Sequence, residues 1–401
     1  MSLPSLPTRL FKLDKSGGKT IDTVDLDPST KYYAVSHVWG SNIDWFEIPN
    51  VDVPWPIPAT SKAKITFILD SCRQQQCDYI WCDILCVRQH PNIQDPEAVK
   101  DRIREVKRMT EYYAGCTATI VFGDHYETFA TRWNKVDAVI KIWEKDKDGQ
   151  QPQTREAVWK GFGDVDDFIG GGKGDQWFWR VWTLQETLLP PRLLTSEGIE
   201  LRLDPFCKFV DWTYVALSKG ILNNDQSELP HYEWIHPRQG IVNNNDWWKL
   251  SKRLWIGIGM FQSLGVTIDP LQALEITAFR QTSASYPKDA LFAAYGLMDS
   301  KWYIEDRIDY TLDDVWRLTV AKLIEHNLSP LLAMAITTRG HMTWAAGRTR
   351  YMGEVIPTAS KISKGIGQSA LSHQFFDFSR KINSQHGLLS APAHRSGCQQ
   401  D

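Results

Sequence analysis

Tyr33-Ala34-Val35-Ser36-His37-Val38-Trp39-Gly40 is the stretch that decides the fold. It is a short apolar run with Ser36 and His37 at its end and Gly40 closing it, which reads as a buried strand over 31–38 with polar groups at its carboxyl edge. Two further segments end in the same way: Tyr79-Ile80-Trp81-Cys82-Asp83-Ile84-Leu85-Cys86-Val87-Arg88-Gln89 and Trp179-Arg180-Val181-Trp182-Thr183-Leu184-Gln185-Glu186. The first of these two also reads as a strand, over 78–85. Open α/β sheets bind ligands at carboxyl edges of this kind.

Working outward, the proline-bearing stretch 41–58 reads as a loop, and Ile65, Ile68, Leu69 and Cys72 recur at helical spacing within a helix predicted over 61–76. Asp95-Pro96 supplies a cap and first-turn proline to a helix whose apolar face is Val99, Ile103, Val106, Met109 and Tyr113. Ala118–Phe122 reads as a third strand. Strand, helix, strand, helix, strand predicts a parallel sheet flanked by helices, joined by right-handed crossovers. Residues 126–146 and 154–169 read as helical, and Gly170-Gly171-Gly172-Lys173-Gly174 as a hinge. Beyond 205 the pattern turns helical, with segments near 207–219, 246–261, 268–280, 288–298 and 312–327. The reading therefore divides the chain into an α/β unit over 1–204, a mostly helical extension over 205–358, and a Ser-, Gly-, His- and Gln-rich tail over 359–401 expected to be disordered.

Composition excludes several classes of function. The 401 residues carry 45 basic and 48 acidic side chains, a net of −3 with no block of either sign, so neither nucleic acid nor an anionic membrane is an expected partner. No apolar stretch approaches the ~20 residues of a membrane span, and the amino terminus lacks the pattern of a signal peptide, so the expected location is cytoplasmic. Seven cysteines read as reduced thiols. Cys72, Cys77, Cys82 and Cys86 are crowded together but lack the paired C-x-x-C spacing of zinc ribbons, and the reading assigns no metal. The glycine run is no phosphate loop, because Asp167 and Gly174 stand where Gly and Ser or Thr are required, and no G-x-G-x-x-G is present. Eighteen tryptophans point to indoles at the border of core and cleft, where a flat ring can stack.

Arg9, Tyr33 to Gly40, Trp81 to Gln89, Met109-Thr110-Glu111-Tyr112-Tyr113-Ala114 and Arg180 to Glu186 together make the chain resemble the fungal heterokaryon-incompatibility (HET) domain family over about residues 7–190. The segment from Phe279 through Tyr286-Pro287-Lys288-Asp289 to Leu297, with Asp309-Tyr310, is similar to the region that often follows that domain. Arg88 replaces a more usual Asn and Cys82 a common Ile. The HET family is in turn similar to TIR domains, whose flavodoxin-like sheets cleave NAD through a glutamate in a W-C-x-x-E motif. Trp182-Thr183-Leu184-Gln185-Glu186 has the same Trp-to-Glu spacing. The resemblance implies a TIR/flavodoxin-like sheet, a role in non-self recognition and regulated cell death, NAD as a substrate with no bound cofactor, and Glu186 as the catalytic carboxylate.

The residues themselves support that chemistry and its rivals. Breaking the nicotinamide–ribose bond develops oxocarbenium character, which a carboxylate beside the ribose stabilises. A helix through this segment places Trp179, Trp182 and Glu186 on one face, an aromatic wall flanking the acid. The bland alternative is that Glu186 pairs with a buried Arg180 or Arg9. Ser36 and His37 are placed for phosphate or ribose, or for turn formation. Trp39 is placed for stacking or sealing, and Asp83 for a hydroxyl or for orienting Gln89 or Arg88, while Arg88 sets the charge of the pocket. Cys86 with His37 offers thiol acyl transfer as a rival chemistry, and Asp289 is expected to cap or to pair with Arg280. Three functional classes stay open: a hydrolase acting on a nucleotide, a non-enzymatic module working through self-association or a protein partner, and a HET-like protein recruited to small-molecule metabolism.

Overall fold

Three apolar runs too short for helices become the middle of one sheet in the computed structural model: β3 (Tyr33–His37), β7 (Tyr79–Trp81) and β8 (Thr119–Phe122). The structure describes residues 6–169 and 176–218, apart from 41, 93, 148 and 181. It also describes 289–298 and single positions or pairs at 273, 310–311, 314–315, 318–319 and 322. The seven-stranded sheet also contains β1 (Arg9–Leu13), β2 (Gly18–Asp22), β5 (Val51–Asp52) and β9 (Leu193–Thr195), in the order β5-β2-β1-β7-β3-β8-β9. β7, β3, β8 and β9 run parallel, whereas β1 is antiparallel to both β2 and β7. The sheet is therefore mostly parallel, and the amino-terminal β1–β2 hairpin is the element that the strand–helix alternation did not reveal.

Two other expectations are corrected. Residues 41–58 do not form a plain loop: β4 (Asp44–Phe46) pairs with β6 (Ile57–Ala59), and Pro58 sits in a strand of this separate two-stranded ribbon. The strand expected over 78–85 ends at Trp81, and Asp83–Cys86 forms the one-turn helix α2. There the N–H groups of Leu85 and Cys86 turn back onto the Cys82 carbonyl at 3.0 and 2.8 Å. A continuous apolar run does not distinguish a buried strand from a buried helical turn, and here it contains both.

Helices cover the sheet for legible reasons. α1 (Lys62–Gln74) starts where Ser61 Oγ accepts from Lys64 N at 3.2 Å, and α3 (Pro96–Gly115) starts where Asp95 accepts from Ala98 N at 2.9 Å. One core joins Ile65, Ile68 and Leu69 of α1 and Tyr112 and Tyr113 of α3 to Trp81, Ile120 and Phe122. A second packs α4 (Tyr126–Glu144), α5 (Pro152–Ile169) and α7 (Leu203–Ser218) around Trp133, Phe168 and Phe206, with Val121 from the sheet. Phe122 and Val121, adjacent in β8, thus enter different cores, as strand alternation requires.

A 3-10 turn (Gln176–Trp179) and α6 (Thr183–Leu188) lead back to the sheet edge, and α8 (Asp289–Tyr295) docks on α6. Gln185 Nε2 donates to the Ala293 carbonyl at 3.0 Å and Thr110 Oγ1 to that of Gly296 at 2.7 Å. The glycine run 170–174, the helical segments expected near 246–261 and 268–280 (apart from Ala273), most of 312–327, and the tail 359–401 lie outside the described residues. No helix among the described residues is long and apolar enough to cross a membrane.

Candidate functional site

The four parallel strands are ordered second, first, third, fourth by sequence, so the winding reverses beside β3. In sheets wound this way ligands bind outside the carboxyl ends of the strands at the reversal, and β3 ends there in Ser36 and His37. Register pairs Ser36 with Val121 and His37 with Phe122, so the two side chains leave the sheet on opposite faces. The polar residues predicted from sequence accordingly form two clusters rather than one.

On the first face the Ser36 hydroxyl donates to Glu186 Oε2 and accepts the Trp177 indole N–H at 2.6 Å. Glu186 lies in α6 and is buried, with 8% of its surface exposed. Burial, and then the Glu186 carboxylate, push the Tyr113 phenol up, which puts Tyr113 in the same neighbourhood. Arg9, one of the expected pairing partners, is engaged elsewhere: its guanidinium bonds Asp101 and, at 2.9 Å, the Cys86 carbonyl.

The aromatic wall also differs from expectation. Trp179 ends the 3-10 turn and α6 begins only at Thr183, with Trp182 as its cap residue, so no single helix carries Trp179, Trp182 and Glu186. The Trp182 indole donates to Asp289 Oδ2 at 3.3 Å. Trp177, absent from the predicted set, is the indole that touches Ser36. Arg280, the expected partner of Asp289, lies outside the described residues.

On the second face Asp83 organises the site. Its Oδ1 accepts from Ile84 N at 2.7 Å and contacts His37 Nε2 at 2.8 Å, and its Oδ2 accepts the Trp39 indole N–H at 2.6 Å. The rings of His37 and Trp39 lie nearly parallel, 8° apart with centroids at 6.5 Å. The His37 side chain is 3% exposed and that of Asp83 31%. Burial lowers the His37 pKa. Asp83 opposes that shift, whereas the nearby charges of Lys64 and Arg180 reinforce it. Burial alone raises the Asp83 pKa, but His37, Trp39 and the Ile84 N–H outweigh it and the net shift is downward. The pair is a neutral imidazole donating from Nε2 to an ionised carboxylate, which leaves the buried Nδ1 without a hydrogen-bond partner.

Gln89 bonds the backbone carbonyl of Asp83 at 3.3 Å rather than its carboxylate. Arg88 is exposed, its backbone N–H rests on Asp101 at 2.7 Å, and no hydrogen bond or ion pair links its side chain to either cluster.

Thiol chemistry is set back. Cys86 ends α2 rather than a strand, is fully buried, and has its thiol pushed up to about 12 by burial; its sulfur faces the Ile80 carbonyl at 3.7 Å. A nucleophilic cysteine needs the opposite shift. The six described cysteines are all buried, and no disulfide joins any two of them. His37, Cys82 and Asp83 do place one nitrogen, one sulfur and one oxygen within 4.8 Å of one another, a set that suits a soft divalent cation. With three donors already on Asp83 and burial raising the Cys82 pKa, it is arranged here as a hydrogen-bond cluster.

Lys64 is the polar residue at this edge that sequence reading passed over: buried in the first turn of α1, it donates from Nζ to the Val38 carbonyl. A groove of about 740 Å³ lined by Lys12, Asp14, Lys19, Asn50 and Asp52 lies beside the β1–β2 turn, with two strands, β1 and β7, between β2 and β3. Its charges are mixed and it takes no part in either cluster. No curated protein and no solved structure matches the chain. Residues 32–186, which run from the start of the β3 segment to Glu186 and contain both clusters, match the family model described as Heterokaryon incompatibility protein (HET).

Proposed function

We propose that this chain acts through its HET domain in fungal non-self recognition and regulated cell death, and that the carboxyl edge of β3 engages NAD and cleaves its nicotinamide–ribose bond. The observation that carries the reading is the Ser36–Glu186 hydrogen bond at a sheet edge where the winding reverses. A carboxylate held there by a hydroxyl suits the ribose of a nucleotide, and in a site with little water it stabilises a developing oxocarbenium ion strongly. Ser36 and Trp177 orient the acid. His37 and Asp83, across the edge, offer an acceptor and an anion to ligand hydroxyls, and Trp39 offers a ring.

A second reading draws on a different observation. Glu186 is 8% exposed, and Ser36 is satisfied on both sides by protein groups, which is how a structural network looks. On that reading the domain works by assembly with copies of itself or with a partner. Purified full-length protein incubated with NAD, with nicotinamide release followed over time, separates the two. Release by wild type that Glu186→Gln abolishes supports hydrolysis; no release at any protein concentration, including those that drive self-association, overturns it in favour of assembly.

A further inference from the structure

Two cations at the carboxyl edge of β3, Lys64 and Arg180, form no ion pair among the described residues. Lys64 is 4% exposed and spends one ammonium proton on the Val38 carbonyl, while its other two donors have no partner among the described residues. Arg180 is half-buried, and its guanidinium makes no hydrogen bond or ion pair among the described residues. Its backbone is nevertheless held in place. Thr183 Oγ1 donates to the Arg180 carbonyl at 2.6 Å, and the residue stands between Trp177 and Glu186, both of which bond Ser36.

Both cations belong to the end of β3, Lys64 through its bond to the Val38 carbonyl and Arg180 through the segment whose Trp177 and Glu186 bond Ser36, and each acts on the charge of His37. Asp83 and Asp124 influence Lys64, yet neither forms an ion pair with it. Beside them lies a third unfilled group, the buried His37 Nδ1. Buried donors and acceptors are ordinarily partnered, and a buried unpartnered nitrogen beside two cations that form no ion pair, at a ligand-binding edge, points to a ligand.

We infer that Lys64 and Arg180 form a diphosphate subsite, which holds a nucleotide across the carboxyl edge of β3 with a ligand hydroxyl donating to His37 Nδ1. Lys64 comes from α1, on the His37 side, and Arg180 from the segment leading into α6, on the Ser36 side. An anion that answers both therefore has to bridge the edge, which favours two linked phosphates over one. The inference rests on the nucleotide part of the function proposed above and is independent of hydrolysis.

The test is ADP binding by the full-length protein, read by quenching of tryptophan fluorescence and by thermal shift, with inorganic pyrophosphate and adenosine as separate probes. ADP is expected to bind, pyrophosphate to compete with it, and adenosine to bind at least about tenfold more weakly, since a charge-assisted hydrogen bond commonly contributes that much. Lys64→Met and Arg180→Gln should each weaken ADP binding about tenfold, with a salt dependence smaller than that of wild type. Arg180→Gln, at a half-buried position, carries the test if the Lys64 variant does not fold.

ADP affinity unchanged in Arg180→Gln, or adenosine binding as tightly as ADP, overturns the subsite, as does failure of both ADP and pyrophosphate to bind. Phosphate-dependent binding without nicotinamide release would remove only the hydrolase reading. Release with KM unchanged in Arg180→Gln would remove only the subsite.

Discussion

Ser36 gives its hydroxyl proton to Glu186, 150 residues further along the chain, and takes the indole proton of Trp177 on the same oxygen. One side chain at the end of β3 therefore fixes the 3-10 turn and α6 against the sheet. Ser36→Ala removes both bonds at once and leaves the buried Trp177 N–H short of this acceptor. Buried polar groups left without partners cost roughly 1–3 kcal/mol, and urea denaturation of the variant is expected to show a loss of about that size. Stability equal to wild type would mean that this oxygen does not hold the segment.

The buried His37–Asp83 pair makes stability depend on pH in a definite direction. His37 has a folded pKa below its usual 6.5, so the unfolded chain binds a proton that the folded chain refuses, and stability falls as pH drops below that value. Asp83, with a folded pKa below 3.8, contributes stability above that value that is lost only in stronger acid. His37 should therefore contribute a decline in melting temperature between about pH 7 and pH 5. In His37→Gln, whose amide can still donate to Asp83, this part of the slope should disappear. A slope unchanged in the variant would assign the acid sensitivity to other groups.

How far the sequence discloses this site depends on residue type. β3 and β8 are legible because short apolar runs bounded by Gly have few alternatives, and α1 and α3 because Ser61 and Asp95 mark their starts. Ser36, His37, Trp39, Asp83 and Glu186 all fall at the sheet edge, but the sequence gives no hint that Ser36 and His37 belong to opposite faces until β3 has a register. Lys64, Asp101 and Glu105 are harder, because charged residues on helices read as solvated. Their spacing held the signal: Lys64 precedes Ile68 by one helical repeat, and Asp101 and Glu105 precede Met109 on the same face, all of them buried. α2 was hidden because no pattern within Asp83-Ile84-Leu85-Cys86, one acidic and three apolar residues, separates a strand from a helical turn.

Arg9 ties the amino-terminal hairpin to α3. Its guanidinium bonds both carboxylate oxygens of Asp101 and the Cys86 carbonyl and lies over Trp55, with 5.3 Å from guanidinium carbon to ring centroid. Asp101 retains Arg104 and the Arg88 N–H if Arg9 is lost. Arg9→Met should still destabilise the protein by about 3 kcal/mol, the low end of the cost of breaking a buried ion pair, whereas Asp22→Asn, at an exposed partner 3.9 Å away, should change stability by less than about 1 kcal/mol. Paired urea titrations check this. Equal effects of the two substitutions would place the Arg9 contribution at the surface.

Gly296 is where the end of α8 meets α6. A β-carbon there would come within 1.8 Å of Gln185 Nε2, the atom that bonds the Ala293 carbonyl, while Thr110 holds the carbonyl of Gly296 itself. Gly296→Ala must therefore displace the Gln185 side chain or lift α8, and overpacking of this kind costs about 1–3 kcal/mol. Because Gln185 precedes Glu186 in α6, the disturbance reaches the Ser36 network. Hydrogen exchange should be faster in the variant at 289–298 and in α6, with β1 and β2 unchanged. Gln185→Ala, which makes room for the new methyl at the cost of the Ala293 bond, should restore part of the protection in the double variant. Absence of any change in α6 would show that the helix is a passenger on the domain rather than a support for its acid.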